Sequence, residues 1–244
     1  KKIILVFVML IAFLTLSLKC YAFNSGFSTT ERTAEENKSF VDNIEFKLLT
    51  EEPQKKEISC FDVNPYGDFA VCNNSTTYTN ICVYSKDGSF LYGYQLKAEG
   101  SIGLEWNKRY LNIYFVRGGV IIKVNSHGEI LDVADVEDTI ENNDYYLHNI
   151  DSNKKLVGKK TYALKNDMGI LNSFASAYSK LTITDAHGME TVVYDIGSDY
   201  QLKLSGGLVG AGAFVAVVAT VVVYQFLKLR KENQSGDGSV IDPG

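Results

Sequence analysis

The chain has 244 residues, with 24 Lys and Arg against 29 Asp and Glu, a net charge of −5 and 45% hydrophobic residues. That is enough for one domain with attachments. Three prolines and an ordinary charge content exclude a collagen-like or wholly disordered chain, and the acidic balance argues against a nucleic-acid surface.

The apolar residues are concentrated at the two ends. Lys1 and Lys2 precede the run Ile3 to Leu18, and Ala22 offers a small residue for cleavage, so residues 1–22 read as a secretory signal peptide, with an uncleaved anchor as the alternative. Near the other end, Leu208 to Leu227 is broken only by Thr220, Tyr224 and Gln225, and at about 30 Å as a helix it matches a bilayer core. Residues 206–227 are therefore expected to form a transmembrane helix. Lys228, Arg230 and Lys231 follow it directly, which places the short tail 228–244 in the cytoplasm and residues 23–205 outside, at a single-pass cell membrane location. Gly206, Gly210, Gly212 and Ala216 form a stripe of small residues that would let two such helices pack, one route to a homo-oligomer.

Without the two terminal segments the chain is more acidic still, at about minus eight. Residues 23–57 read as a polar lead-in or stalk over Asn24 to Lys38, followed by an edge strand within Phe40 to Leu49. From Ile58 the pattern changes to short alternating runs separated by turn signals, as in an antiparallel meander. Ile58–Val63, Phe69–Cys72, Ile81–Tyr84 and Phe90–Leu96 give four strands. The arrangement repeats from Leu104 to Ala134, and a third copy runs from Tyr146–Ile150, read as a strand, to Ile196. The units are 58–100, 101–138 and 145–198, joined by residues 199–205 to the membrane span. Gly88, Gly128 and Gly188 mark the last hairpin of each, where a tight turn needs positive φ. Their spacing of 40 and then 60 residues puts an insertion in the third unit, a loop over residues 166–179.

An all-β chain of roughly forty-residue units, each ending in strand, x-x-Asp/His-Gly, strand, resembles the blades of the β-propeller families, WD40-like and NHL-like repeats among them. The resemblance covers residues 58 to 198 through a generic hairpin motif, without the Gly-His and Trp-Asp signature of true WD repeats. It implies a scaffold displaying loops for binding. Three units are fewer than the roughly four to eight that close a ring, so the domain is a short relative, an open stack of sheets, or a protomer completed by another chain.

Chemistry is sparse. His127 and His187 precede turn glycines and read as turn residues, and His148 falls in a strand pattern beside Tyr145 and Tyr146. The sequence contains no nucleophile elbow, zinc-protease helix, phosphate loop or dinucleotide fingerprint, so neither catalytic residues nor a cofactor are expected. The acidic run Asp132 to Asp144 lacks the spacing of a calcium loop and reads as a solvated connection. Centring the first hairpin on Tyr66 pairs Cys60 with Cys72, which in an oxidising compartment can form a disulfide or remain two apolar thiols; Cys82 competes for Cys72 if the next hairpin centres near Thr77. Tyr84, Tyr92, Tyr94, Tyr110 and Tyr114 read as packing residues before they read as a sugar-stacking face. Asn37, Asn73 and Asn74 match glycosylation acceptors. The expectation is a non-catalytic module that binds a protein or glycan partner at its loops. The alternatives are a structural subunit whose sheet another chain completes and, more weakly, a propeller-type hydrolase or lactonase.

Overall fold

A computed structural model of the protein describes residues 23–74, 77–166, 177–197 and 217–225. The chain is mostly β, arranged in three antiparallel sheets, each built on a meander of four consecutive strands. Sheet I holds β3 (Cys60–Val63), β4 (Phe69–Asn74), β5 (Thr79–Tyr84) and β6 (Phe90–Leu96). Sheet II holds β7 (Ile102–Asn107), β8 (Tyr110–Phe115), β9 (Val120–Val124) and β10 (Ile130–Val136), and sheet III holds β11 (Lys154–Val157), β12 (Lys160–Lys165), β13 (Lys180–Thr184) and β14 (Glu190–Asp195). Before them come β1 (Thr29–Glu31), α1 (Ala34–Asn43) and β2 (Lys47–Leu49). β1 adds to the outer edge of β10, and β2 adds to the outer edge of β6.

Alternation along the strands explains the stacking order. One face of sheet I, with Ala70, Ile81, Val83 and Tyr94, packs on Leu104, Ile113 and Ile122 of sheet II. The other face, with Phe61, Phe69, Val71 and Tyr84, packs on Tyr162, Leu181, Ile183 and Tyr194 of sheet III. Sheet I is thus the buried middle layer. The described sheets do not close into a ring.

The expected turn glycines all take positive φ: 86° at Gly88, 79° at Gly128 and 81° at Gly188. Each hairpin is fastened by the polar residue three places earlier. Asn125 Oδ1 accepts from His127 N–H and Glu129 N–H, and Asp185 Oδ1 accepts from His187 N–H and Met189 N–H. Gly128→Ala should cost about 1 kcal/mol or more, because φ is positive and the new Cβ would lie 2.9 Å from Leu48 Cβ, and a urea melt checks this.

Three expectations are corrected. The polar lead-in over Asn24 to Lys38 is built into the domain: Phe23 and Phe27 are buried, and α1 begins at a capping box in which Thr33 and Glu36 bond each other's backbone N–H. The edge strand expected within Phe40 to Leu49 is only Lys47–Leu49, since α1 extends to Asn43. Tyr146–Ile150 is not a strand. Thr139 caps α2 (Ile140–Tyr145), and a π-helical turn over Tyr146–Ile150 continues it, so the first strands of sheet III come later, at β11 and β12.

The lead-in and α2 together cover the outer face of sheet II. Phe27 packs on Tyr114 and Tyr145, with ring centroids 4.8 and 4.9 Å apart, and Ile150 joins Ile121 and Ala134 in the same cluster. The buried Asn142 pins the layers: its Nδ2 donates to Ser28 O and Glu137 O, and its Oδ1 accepts from Ser28 N–H. The outer face of sheet III is mixed: Ala163 and Thr182 at its centre are buried, and Val192 beside Thr182 is 49% exposed. Alternate positions there include Leu156, 74% exposed, Thr161 and Thr184, and Lys165 pairs with Glu190 while Lys180 pairs with Asp195.

The expected signal segment 1–22, residues 167–176 of the expected long loop and the expected tail 228–244 lie outside the described residues, as do Gly206, Gly210, Gly212 and Ala216. Of the expected span, residues 217–225 are described and are helical and exposed; no helix among the described residues is long and apolar enough to cross a membrane.

Candidate functional site

The first strands of the three sheets converge. β3, β7 and β11 meet the π-helical turn around a cleft of about 370 Å³ lined in part by Asp62, Glu105, Trp106, His148, Lys154 and Lys155. Two carboxylates organise it.

Asp62 sits between Phe61 and Val63 on β3, a strand packed on both faces, and its side chain keeps only 13% exposure. Its Oδ2 accepts from the Trp106 backbone N–H at 2.6 Å, and its Oδ1 lies 3.2 Å from Lys155 Nζ. One side chain on sheet I therefore ties β7 of sheet II and β11 of sheet III. Lys155 Nζ also donates to Asn149 O, which brings in the π-helical turn. Burial holds the Asp62 carboxyl above the ordinary carboxylate range, opposed by the Lys155 charge and the Trp106 N–H.

Glu105, on β7, has every lone-pair direction occupied. Oε1 accepts from Gly26 N–H at 2.9 Å and Tyr145 O–H at 2.7 Å, and Oε2 accepts from Ser25 Oγ at 2.5 Å and Asn112 Nδ2 at 2.9 Å. Burial and this carboxylate both raise the Tyr145 phenol. Gly103, two residues before it, is needed for the close approach of the turn: a Cβ there would lie 2.4 Å from Ile150 Cγ2.

The acids of the cleft are thus spent on holding the sheets together, while some donors are not. Trp106 Nε1 is buried with no partner among the described residues, a state worth about 1–3 kcal/mol of lost hydrogen bonding. His148 is exposed, with Nδ1 facing Asp144 O at 2.9 Å; it lies on the π-helical turn, not on a strand. Among the described residues no group of three His, Cys, Asp or Glu is placed to hold a metal ion.

A second opening, a groove of about 630 Å³, lies between α1 and the ends of sheets I and II. Phe40, Ile44, Ala98 and Phe115 form its apolar floor, with the Phe40 and Phe115 rings edge-to-face at 5.1 Å. Lys97, Glu99 and Arg117 stand at its rim, where Lys97 is paired with Glu45.

The remaining expected residues fall as follows. Cys60 and Cys72 are cross-strand neighbours, as the hairpin predicts, and both are thiols in hydrogen-bond contact. Cys72 faces sheet II, while Cys82 is opposite Val71 and faces sheet III, so Cys82 does not compete for it. Contact with Cys72 and burial push the Cys60 thiol up, and burial pushes Cys82 up to about 12, so neither of these two is a ready nucleophile. Tyr84 and Tyr94 are fully buried packing residues. His127 and His187 are turn residues. The acidic run is divided between β10 and α2. Asn73 is buried and its Nδ2 donates to Lys56 O, Glu57 O and Tyr194 Oη. Glycosylation at Asn73 should accordingly be absent from the folded protein, and glycopeptide mass spectrometry after expression in a glycosylating host checks this.

Neither the protein-family models, the curated proteins nor the solved structures contain a match to this chain.

Proposed function

We propose that the chain is a single-pass membrane protein whose extracytoplasmic part, a short open relative of the β-propellers, is a non-catalytic module that binds a protein or glycan partner. The observation that supports this most is the fate of the converging charges. Asp62, Glu105 and Lys155 have the placement of a catalytic cluster, yet their hydrogen-bonding capacity goes to the Trp106 N–H, the lead-in, α2 and Asn149. A group so engaged has little left for a substrate. The groove beside α1, with an apolar floor and polar rim, has the composition of a recognition site.

The test is binding of the full-length protein, in non-ionic detergent, to a glycan array and to a displayed peptide library. Asn43→Arg and Thr77→Arg place bulk at exposed positions of the groove mouth and should abolish the captured signal without moving the melting temperature. Binding unchanged in both variants would put recognition elsewhere. Turnover on lactone or glycoside panels would overturn the non-catalytic reading.

A second reading, a subunit whose stack is completed by another chain, draws on one asymmetry. A Cβ at Gly88 would meet Val193 O of sheet III at 2.5 Å and one at Gly128 would meet Leu48 of sheet I, whereas Gly188 has no described neighbour within 4 Å. The outer face of sheet III also carries the exposed Leu156 and Val192 beside its lysines and threonines. Light scattering after size exclusion distinguishes a monomer from a defined assembly.

A further inference from the structure

We infer that Cys60 and Cys72 are a redox-active pair that closes to a disulfide by exchange with a donor disulfide, carried by a small molecule or a thiol oxidoreductase, and that the donor reaches Cys60 first. The two residues are directly opposed on β3 and β4. Their side chains share one face, in the cluster between sheets I and II, and the thiols are in hydrogen-bond contact. Opposed residues of an antiparallel pair stand about 4.5–5.5 Å apart at Cα, within the roughly 4.4–6.8 Å that a disulfide accepts, so the bond needs no movement of the strands. Cys82 is excluded from it, because it is opposite Val71 and lies in the cluster towards sheet III. Access is one-sided. Cys72 is fully buried, whereas Cys60, 6% exposed, borders a cleft of about 260 Å³ with Ser59, Ile150, Asp151 and Asn153. The order of steps follows from that. Cys60 Sγ, on losing its proton to water, attacks one sulfur of the donor and expels the other as a thiolate, leaving a mixed disulfide. Cys72 Sγ loses its proton in turn and attacks the Cys60 sulfur, expelling the second thiolate. The chain's two thiols are oxidised, the donor disulfide is reduced, and the two protons end on the expelled thiolates. Burial and contact with Cys72 hold the Cys60 thiol well above its ordinary range, so the exchange is slow near neutral pH. Closing the pair holds β3, the strand whose Asp62 reaches Trp106 of sheet II and Lys155 of sheet III. The extracytoplasmic position proposed above supplies an oxidising compartment.

Full-length protein in non-ionic detergent is equilibrated in cystamine–cysteamine buffers from fully reduced to fully oxidised, quenched with acid, and alkylated after denaturation for peptide mass spectrometry. In oxidised buffer the peptides of Cys60 and Cys72 should be joined, lighter by two hydrogens than the two thiol peptides, while Cys82 is alkylated throughout. Dithiothreitol should reverse the link. The oxidised protein should melt roughly 5–10 °C above the reduced one, a shift absent from Cys60→Ser. Cys72→Ser should stop at the mixed disulfide on Cys60, and Cys60→Ser should take up no cysteamine, because Cys72 is closed to the donor. Thiols that stay free in oxidised buffer at about pH 8.5, a link that engages Cys82, or cysteamine taken up by Cys72 in Cys60→Ser as readily as by Cys60 in Cys72→Ser would overturn the assignment. The purified protein answers without reference to a membrane or a compartment. A pair that closes there but stays reduced in cells upholds the exchange chemistry and overturns only the extracytoplasmic position.

Discussion

Phe27→Ala is expected to lower the stability of the protein by about 3–5 kcal/mol, the range for removing a fully packed aromatic ring. Set against about 5–15 kcal/mol for a typical domain, that is a large share of the total. Phe27 is 5% exposed and packs its ring against both Tyr114 of sheet II and Tyr145 of α2. The loss spreads beyond packing. Ser25 and Gly26, two residues and one residue before it, deliver two of the four hydrogen bonds that satisfy Glu105, and a displaced lead-in would leave that carboxylate under-bonded. Urea unfolding followed by near-ultraviolet dichroism measures the effect. A change under about 1 kcal/mol would mean that residues 23–31 peel away from sheet II at little cost and behave as the stalk their composition suggests.

That composition shows where sequence reading works here and where it stops. The hairpins were legible because each turn is local: Gly88, Gly128 and Gly188 need a backbone region that other residues avoid, and a polar partner three places earlier sits in the same short window. Registration follows from the turn, which is why Cys60 opposite Cys72 could be derived from the position of Tyr66. α1 carried its own signal as well, Thr33-x-x-Glu36, but the polar residues around it matched a flexible segment and outweighed the cap. Its stability comes from Phe40, Val41 and Ile44 packed on the cluster between sheets I and II, a contact with no local trace. A strand over Tyr146–Ile150 would put Tyr146, His148 and Ile150 on one face, whereas Tyr146 and Ile150 join the cluster on sheet II and His148 is exposed, the four-residue spacing of a helical turn.

The cleft was not legible, for a related reason. Asp62, Glu105 and Lys155 lie in three different units, and nothing in their separation along the chain says that first strands converge. A signal was nonetheless present: Asp62 lies between Phe61 and Val63, and Glu105 between Leu104 and Trp106, each an acid inside an apolar strand run. Burial of a carboxylate is costly unless it is paired. Such an acid near the start of each of two repeats therefore points to a partner supplied from another unit.

Lys155→Met is the sharpest test of that pairing. Lys155 is the counter-charge for a carboxyl that burial already holds above its ordinary range, and it contacts no other acid at comparable depth. Removing the ammonium leaves the Asp62 carboxyl without its counter-charge between three sheets, with an expected loss of about 3–5 kcal/mol. The sign of the pH dependence follows from linkage. An acid whose folded pKa is raised binds its proton more tightly when folded, so the penalty is fully present above that pKa and shrinks as pH falls toward the unfolded value. The deficit of Lys155→Met should therefore narrow on acidification, opposite to the usual acid loss carried by Glu36, Glu45 and Asp87, whose hydrogen bonds hold their pKa values low. Asp62→Asn alone should also destabilise, because it leaves the Lys155 ammonium, 15% exposed, without its carboxylate, although the amide oxygen still accepts the Trp106 N–H. Combining Asp62→Asn with Lys155→Met should restore most of the loss, since no buried charge remains. Chemical denaturation of the three variants across pH measures the cycle. A Lys155→Met deficit that persists in the double variant and does not change with pH would mean that Lys155 acts through its packed stem, and the carboxylate would no longer be the tie between the three sheets.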